Sequence, residues 1–155
     1  MEKATFAAGC FWGIETAYRK LEGVLDVAVG YEGGSIENPS YQDVCTGQSG
    51  HAEVVEVNYD PEKISYDELL DVFWNIHDPT TLNRQGPDIG TQYRSGIYYH
   101  NEEQKRLAEE SKAKLDASGS YRSSIVTEIV EASVYYPAED YHQKYLEKRG
   151  MRGCS

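Results

Sequence analysis

Apolar positions along this chain change period several times, and the changes mark out its elements. Ala4-Thr5-Phe6-Ala7-Ala8 is a short apolar run that predicts a strand. Phe11, Ile14, Tyr18 and Leu21 then recur at helical spacing, and Gly23 is placed to end that helix. Val27, Val29 and Tyr31 alternate as a strand closed by Gly33-Gly34, and a polar, Gly-rich loop runs from Ser35 to Gly50. Residues 52–59 alternate again and stop at Asp60-Pro61. Ser65-Tyr66-Asp67-Glu68 is a capping box ahead of an apolar face of Leu69, Leu70, Phe73 and Ile76. A second long loop covers about His77 to Ser95. A strand (96–100), a charged helix (102–117), a strand (125–132) and a short helix near 138–148 complete the reading.

The first six elements run β-α-β-β-α-β, the split βαβ order of ferredoxin-like folds. The expected fold is therefore an α/β (α+β) two-layer sandwich: a mainly antiparallel sheet built on a ferredoxin-like core, with helices packed against it. No internal repeat, low-complexity tract or linker interrupts the chain. A single domain is expected over 1–148, followed by a mobile Gly-rich tail, 149–155, that carries Cys154. Two loops of this length in one compact domain are commonly functional.

Composition narrows the class. With 155 residues, 39% hydrophobic and 26% charged, the chain can bury a sizeable core and reads as soluble. No apolar run approaches the roughly 18 residues of a membrane span. The N-terminal residues carry no basic stretch followed by an apolar one, so no secretory signal and a cytoplasmic setting are expected. A net charge of −11 argues against nucleic acid and anionic membranes as partners. The three cysteines, Cys10, Cys45 and Cys154, lack the pairing and spacing of a zinc site, and their odd number does not suit a structural disulfide framework. The open question is whether one or two of them are reactive.

Cys10 is the strongest candidate. In Gly9-Cys10-Phe11-Trp12-Gly13 it falls between a strand and the first turn of a helix, where unpaired backbone N–H groups and the helix dipole favour a thiolate. The flanking glycines leave room for a substrate, and Phe11 and Trp12 could hold something small and apolar. Glu53 shares one face of its strand with Val55, Val57 and Tyr59. It is either a buried carboxyl, pushed toward its protonated form and suited to general-acid work, or a strand-end group in solvent. Tyr41 and Tyr93, one in each long loop, either hydrogen-bond a reacting oxygen or cover a hydrophobic edge. His51, beside Glu53, invites a Cys–His reading, although a lone histidine such as it or His142 is more often a packed or hydrogen-bonded side chain than a base. Cys154, flanked by glycine near the chain end, fits either a resolving thiol or an incidental exposed cysteine. Cys45, between Val44 and Thr46, reads as a small buried residue.

These residues resemble a known family. Gly9-Cys10-Phe11-Trp12-Gly13 looks like the motif of the A-type peptide methionine sulfoxide reductases. Three further blocks are similar to that family: Tyr41–Gly47 with Gly50–Glu53; Asp78-Pro79-Thr80-Thr81 with Asn83–Gly86 and Asp88–Tyr93; and Ala138–Gln143. The resemblance implies a thiol-dependent reduction of methionine S-sulfoxide, free or in proteins, that repairs oxidised proteins. It implies Cys10 as nucleophile, Glu53 as the acid that protonates the leaving oxygen, and Tyr41 and Tyr93 as hydrogen-bond donors to that oxygen. Phe11 and Trp12 would hold the S-methyl group, and Asp88 and His142 would shape the site. A second cysteine, here Cys154, would form a disulfide with Cys10, reduced by thioredoxin or another dithiol. No bound cofactor or metal is implied, and a monomer is expected. Two other classes stay in view: a cysteine-based thiol peroxidase, which needs no general-acid Glu53, and a non-catalytic ferredoxin-like binding module, in which Cys10 is unreactive.

Overall fold

The computed structural model describes residues 2–9, 11–34, 37–45, 49–86, 88–119, 121 and 123–139, with the side chains of Phe11 and Cys45 left out. Eight strands and four helices lie within those residues. They are β1 (Glu2–Ala8), α1 (Phe11–Arg19), β2 (Val24–Glu32), α2 (Tyr41–Cys45), β3 (Ala52–Tyr59), α3 (Tyr66–Asn75), β4 (Arg84–Gln85), β5 (Asp88–Ile89), β6 (Ser95–Tyr99), α4 (Glu102–Ala117), β7 (Glu128–Glu131) and β8 (Tyr136–Pro137). Thr91–Tyr93 forms a 3-10 turn ahead of β6.

Six strands make one sheet in the order β7-β6-β1-β3-β2-β8, and β4 and β5 form a separate small hairpin. Every pairing in the large sheet is antiparallel except β6 with β7. This is the mixed α/β architecture with a mostly antiparallel sheet that the element order led us to expect. β1 lies between β3 and β6 and is buried on both faces, which explains why its residues 4–8 read as a continuous apolar run rather than an alternation.

The main core fills the face of the sheet covered by α1 and α3. Phe6 is its centre. The Phe6 ring stacks on Tyr18 of α1 at 5.4 Å and lies 5.3 Å from Phe73 of α3. Tyr18 donates its hydroxyl proton to Leu69 O at 3.0 Å, which ties α1 to α3 inside the core. The helix ends are set by local chemistry. Ser65 accepts the Glu68 N–H at 3.1 Å while the Glu68 carboxylate accepts the Ser65 N–H, the expected reciprocal box. Asn101 caps α4 by accepting the Gln104 N–H. α4 buries only Gln104 and Ala108, so it adds little to the core, and Trp74 of α3 fastens it by donating to Ser111 Oγ at 2.8 Å.

On the opposite face Ala7, Ala52, Val54 and Tyr98 form a smaller cluster, covered by Ala132 and Tyr135. The segment between β7 and β8 crosses the sheet there. Its passage depends on Gly30: a β-carbon at that position would sit 2.5 Å from both the Tyr135 ring and Tyr136 O.

Several expectations need correction. The first loop contains α2, and the second contains the β4–β5 hairpin and a 3-10 turn. The strand expected over 125–132 is regular only at Glu128–Glu131, because Ile125, Val126 and Thr127 instead fix the chain through separate contacts: Val126 N donates to Pro79 O, and Thr127 O accepts from Lys112 Nζ. The helix expected near 138–148 does not begin at Ala138, whose N–H bonds to Val29 O as an extension of the β8 pairing, and Glu139 is likewise non-helical. The rest of that helix, with His142, and the 149–155 tail lie outside the described residues.

Candidate active site

The row of residues where β1 ends organises the candidate site. The β1–β3 register pairs Phe6 with Val55, and two more residues bring Ala8 level with Glu53. On the other side of β1, Ala8 pairs with Ser95, and on the far side of β3, Glu53 pairs with Tyr31. Ser95, Ala8, Glu53 and Tyr31 thus form a row across four strands at the point where the chain leaves β1 for Gly9 and Cys10. Neighbouring strands are about 4.8 Å apart, so Glu53 stands beside the end of the strand that leads into the Cys10 motif.

Glu53 is 1% exposed, on the same side of β3 as the buried Val55 and Val57. Of the two readings open to it, a buried carboxyl and a solvated strand-end group, the first holds. Cys10 itself lies outside the described residues; Gly9 before it has φ +92°, and α1 starts at Phe11 directly after it.

The two aromatic candidates from different parts of the chain meet. Trp12 of α1 and Tyr41, the first residue of α2, stack with ring centroids 6.3 Å apart. α2 is held in place by a residue the sequence reading assigned no role. Glu139 accepts the Tyr41 N–H through Oε2 at 3.1 Å and the buried Tyr31 hydroxyl through Oε1 at 3.0 Å. One carboxylate therefore joins β2, α2 and the chain after β8. Glu139 was within the Ala138–Gln143 block, but its partners lie 98 and 108 residues away, so no local pattern indicates them.

His51 is a packed residue. Its Nδ1 accepts the Gly34 N–H at 3.0 Å, its ring meets Tyr136 edge-on at 5.6 Å, and it is 2% exposed.

Tyr93 ends the 3-10 turn, which packs against β3, and its N–H bonds to Gly90 O at 3.0 Å. Asp88 pairs with Gln85 in the β4–β5 hairpin and is half-buried. The following Arg94 is fixed by Glu128, at 2.9 Å, and by Thr91 O.

Behind this row lies a hydrogen-bond chain that also escaped the sequence reading. His77 Nδ1 donates to Phe73 O at 2.6 Å, Nε2 accepts from Ser95 Oγ at 2.7 Å, and Ser95 Oγ is 2.7 Å from Thr127 Oγ1. Burial lowers the His77 pKa from 6.5 to about 4, against the opposing pull of the Phe73 carbonyl and Asp78. The ring is therefore neutral at pH 7, and it binds the end of α3 to the first residue of β6.

Among the described residues, no three His, Cys, Asp or Glu side chains are grouped as metal ligands. No described helix is long and apolar enough to cross a membrane. Phe11, Cys45, Cys154 and His142 lie, in side chain or entirely, outside the described residues.

A family model described as peptide methionine sulfoxide reductase matches residues 2–155, and the chain belongs to that family. It is 63% identical over 153 residues to the peptide methionine sulfoxide reductase MsrA of Methanothermobacter thermautotrophicus, covering 99% of this chain and 90% of that one. The MsrA of Acidobacterium capsulatum is 55% identical, with 99% of each chain covered. Among solved structures, reduced Mxr1 from Saccharomyces cerevisiae superposes with a TM-score of 0.92 at 40% identity, over 99% of this chain and 88% of that one. Mxr1 in complex with Trx2 superposes at 0.65 and 29% identity, over 93% and 84%. The chain carries the family's activity, reduction of methionine S-sulfoxide to methionine.

Proposed function

We propose that the reaction runs on Cys10, with Glu53 as its acid. The Cys10 thiolate attacks the sulfoxide sulfur. A proton from Glu53 moves to the sulfoxide oxygen, methionine departs, and the oxygen remains on Cys10 as a sulfenic acid. A second thiol then attacks that sulfur, water is released, and a disulfide forms; two electrons from a dithiol restore both thiols. The observation that carries this reading is the burial of Glu53 at the end of β1. Out of water a carboxyl favours its protonated form, which is the form an acid catalyst needs.

Tyr41 and Tyr93 are read as hydrogen-bond donors to the same oxygen, worth most where charge develops in the transition state. Trp12 and Phe11 are read as the wall around the S-methyl group, and the stacking of Trp12 on Tyr41 supports a shared aromatic surface. Asp88 and His142 are read as residues that shape the site. Cys154 is assigned as the resolving thiol because a Gly-flanked position near a chain end can move to its partner. Thioredoxin is the proposed reductant; the Mxr1 complex with Trx2 supports this. A monomer that works without a bound cofactor, in the reducing environment of the cytoplasm, completes the reading. The central order β6-β1-β3-β2, with α1 and α3 as crossovers, supports a ferredoxin-like core.

The test is a single turnover without reductant. Reduced protein is mixed with excess methionine S-sulfoxide or, separately, the R epimer, and methionine formed and thiols lost are counted. One methionine and two thiols per protein, from the S epimer only, are expected. Glu53→Gln should slow methionine formation by about 10²- to 10⁴-fold. Unchanged turnover in Glu53→Gln would remove Glu53 from the mechanism, and a Cys154→Ser protein that still loses two thiols would remove Cys154.

A further inference from the structure

Gln85 makes an unusual set of contacts for a loop glutamine. Its amide forms a two-point clamp on the backbone of Asp78: Oε1 accepts the Asp78 N–H at 2.9 Å, and Nε2 donates to Asp78 O at 2.6 Å. Nε2 also lies 3.3 Å from Thr81 Oγ1. With its head fixed in this way, the aliphatic stem of Gln85 lies directly over Gly9. A β-carbon on Gly9 would be 2.8 Å from Gln85 Cγ and 2.9 Å from Cβ.

Gly9 is the residue before Cys10, and at φ +92° it occupies backbone space that a residue with a side chain rarely adopts. A glycine in a turn has many alternative conformations, and each would move the following residue. The stem of Gln85 removes part of that freedom. The clamp itself is firmly based, because Asp78 follows His77, whose ring is bonded to Ser95, the β6 partner of Ala8. Gln85 also belongs to the hairpin that leads to Asp88 and Tyr93, since it pairs with Asp88. One side chain thus connects the turn before Cys10 to the loop that carries two other site residues.

We propose that Gln85 is a positioning residue for the Cys10 nucleophile: clamped at Asp78, it covers Gly9 and sets where the Cys10 sulfur stands relative to Tyr93 and Glu53. The inference rests on the reading of Cys10 as nucleophile. Its effect belongs in the chemical step. Misplacing a reacting atom by about 1 Å can cost on the order of 10²-fold in rate, while binding of the substrate is affected far less.

The experiment uses Gln85→Ala, Gln85→Met, Gly9→Ala, the Gly9→Ala/Gln85→Ala double variant and Cys10→Ser. It reads the single-turnover rate against S-sulfoxide concentration, the pH profile of Cys10 alkylation followed on the Cys10 peptide, and urea denaturation. Gln85→Ala should lower the limiting single-turnover rate by about tenfold or more, leave the half-saturating concentration unchanged, and move the alkylation profile. Gln85→Met keeps the stem and loses the clamp, so it should fall between. Gly9→Ala should be less harmful in the Gln85→Ala background than in the wild type, because the 2.8 Å contact with Cγ is gone and only the one with Cβ remains, and the non-additivity measures the Cγ contact. Gln85→Ala at the wild-type rate with an unchanged alkylation profile, or Gly9→Ala equally harmful in both backgrounds, would overturn the inference alone. A Cys10→Ser protein that still forms methionine would overturn the nucleophile assignment and this inference with it.

Discussion

Replacing Glu32 by Gln should stabilise the protein at alkaline pH. Glu32 ends β2 with its carboxyl 1% exposed, on the face covered by the segment between β7 and β8. Burial raises its pKa from 4.5 to about 7; the Ser133 N–H, donated to Oε2 at 3.0 Å, opposes the rise, and Glu56 adds to it. Because the folded pKa is the higher one, the folded protein binds more protons than the unfolded chain between about pH 4.5 and 7. Stability therefore falls as pH rises through that window. At about 1.4 kcal/mol for each tenfold change in proton affinity, ionising Glu32 costs on the order of 3 kcal/mol, of which about 2 kcal/mol falls between pH 5 and 8.5.

Gln keeps the acceptor for Ser133 and never ionises. The stability gap between Glu32→Gln and wild type should thus widen by about 2 kcal/mol between pH 5 and 8.5, which in a domain of this size is about 4–8 °C in Tm. Urea denaturation of both proteins at the two pH values measures it. Parallel pH profiles, or a variant less stable than wild type at pH 8.5, would refute the reasoning.

Three further outcomes are expected. His77 titrates with the opposite sign: its folded pKa is lowered, so the stability it contributes is complete above pH 6.5 and is lost as pH falls toward 4. Urea midpoints of wild type and His77→Gln should accordingly converge on acidification. Glu139→Ala removes the acceptor of both Tyr31 and Tyr41; it should destabilise by about 2 kcal/mol or more in urea denaturation and slow single turnover, because α2 with Tyr41 loses its tether. Ser65→Ala breaks the α3 capping box and should cost about 1 kcal/mol in the same denaturation assay while leaving sulfoxide turnover intact, since Ser65 lies at the far end of the sheet from Gly9.

The elements with strong local signals were legible. β3 occurs at 52–59 and α4 at 102–117 as the pattern indicates, and the α3 cap is the box written at Ser65 and Glu68. Period and capping are local, so a single segment expresses them without help from the rest of the chain. The misreadings fall where distant contacts outweigh local preference. Ala138-Glu139 has a helical pattern, yet Ala138 bonds to Val29 and Glu139 bridges Tyr31 and Tyr41. Residues 125–127 have strand composition, yet Pro79 and Lys112 hold their backbone.

The same division runs through the site. The sequence alone singled out Cys10 with its aromatic neighbours as candidates, and it limited Glu53 to two readings by alternation along β3. It also carried the family resemblance, because ordered blocks of side chains need no coordinates to be seen. Only the tertiary structure decided that Glu53 is buried, that Trp12 meets Tyr41, and that His51 is packed. Only the tertiary structure, likewise, brought in Glu139, His77 and Gln85. Each of these acts at least in part through hydrogen bonds or packing to backbone, and backbone partners leave no mark on the identity of the residue they belong to. Nothing in the letters Gly9 and Gln85 links them; the strand register and the clamp on Asp78 bring them into contact.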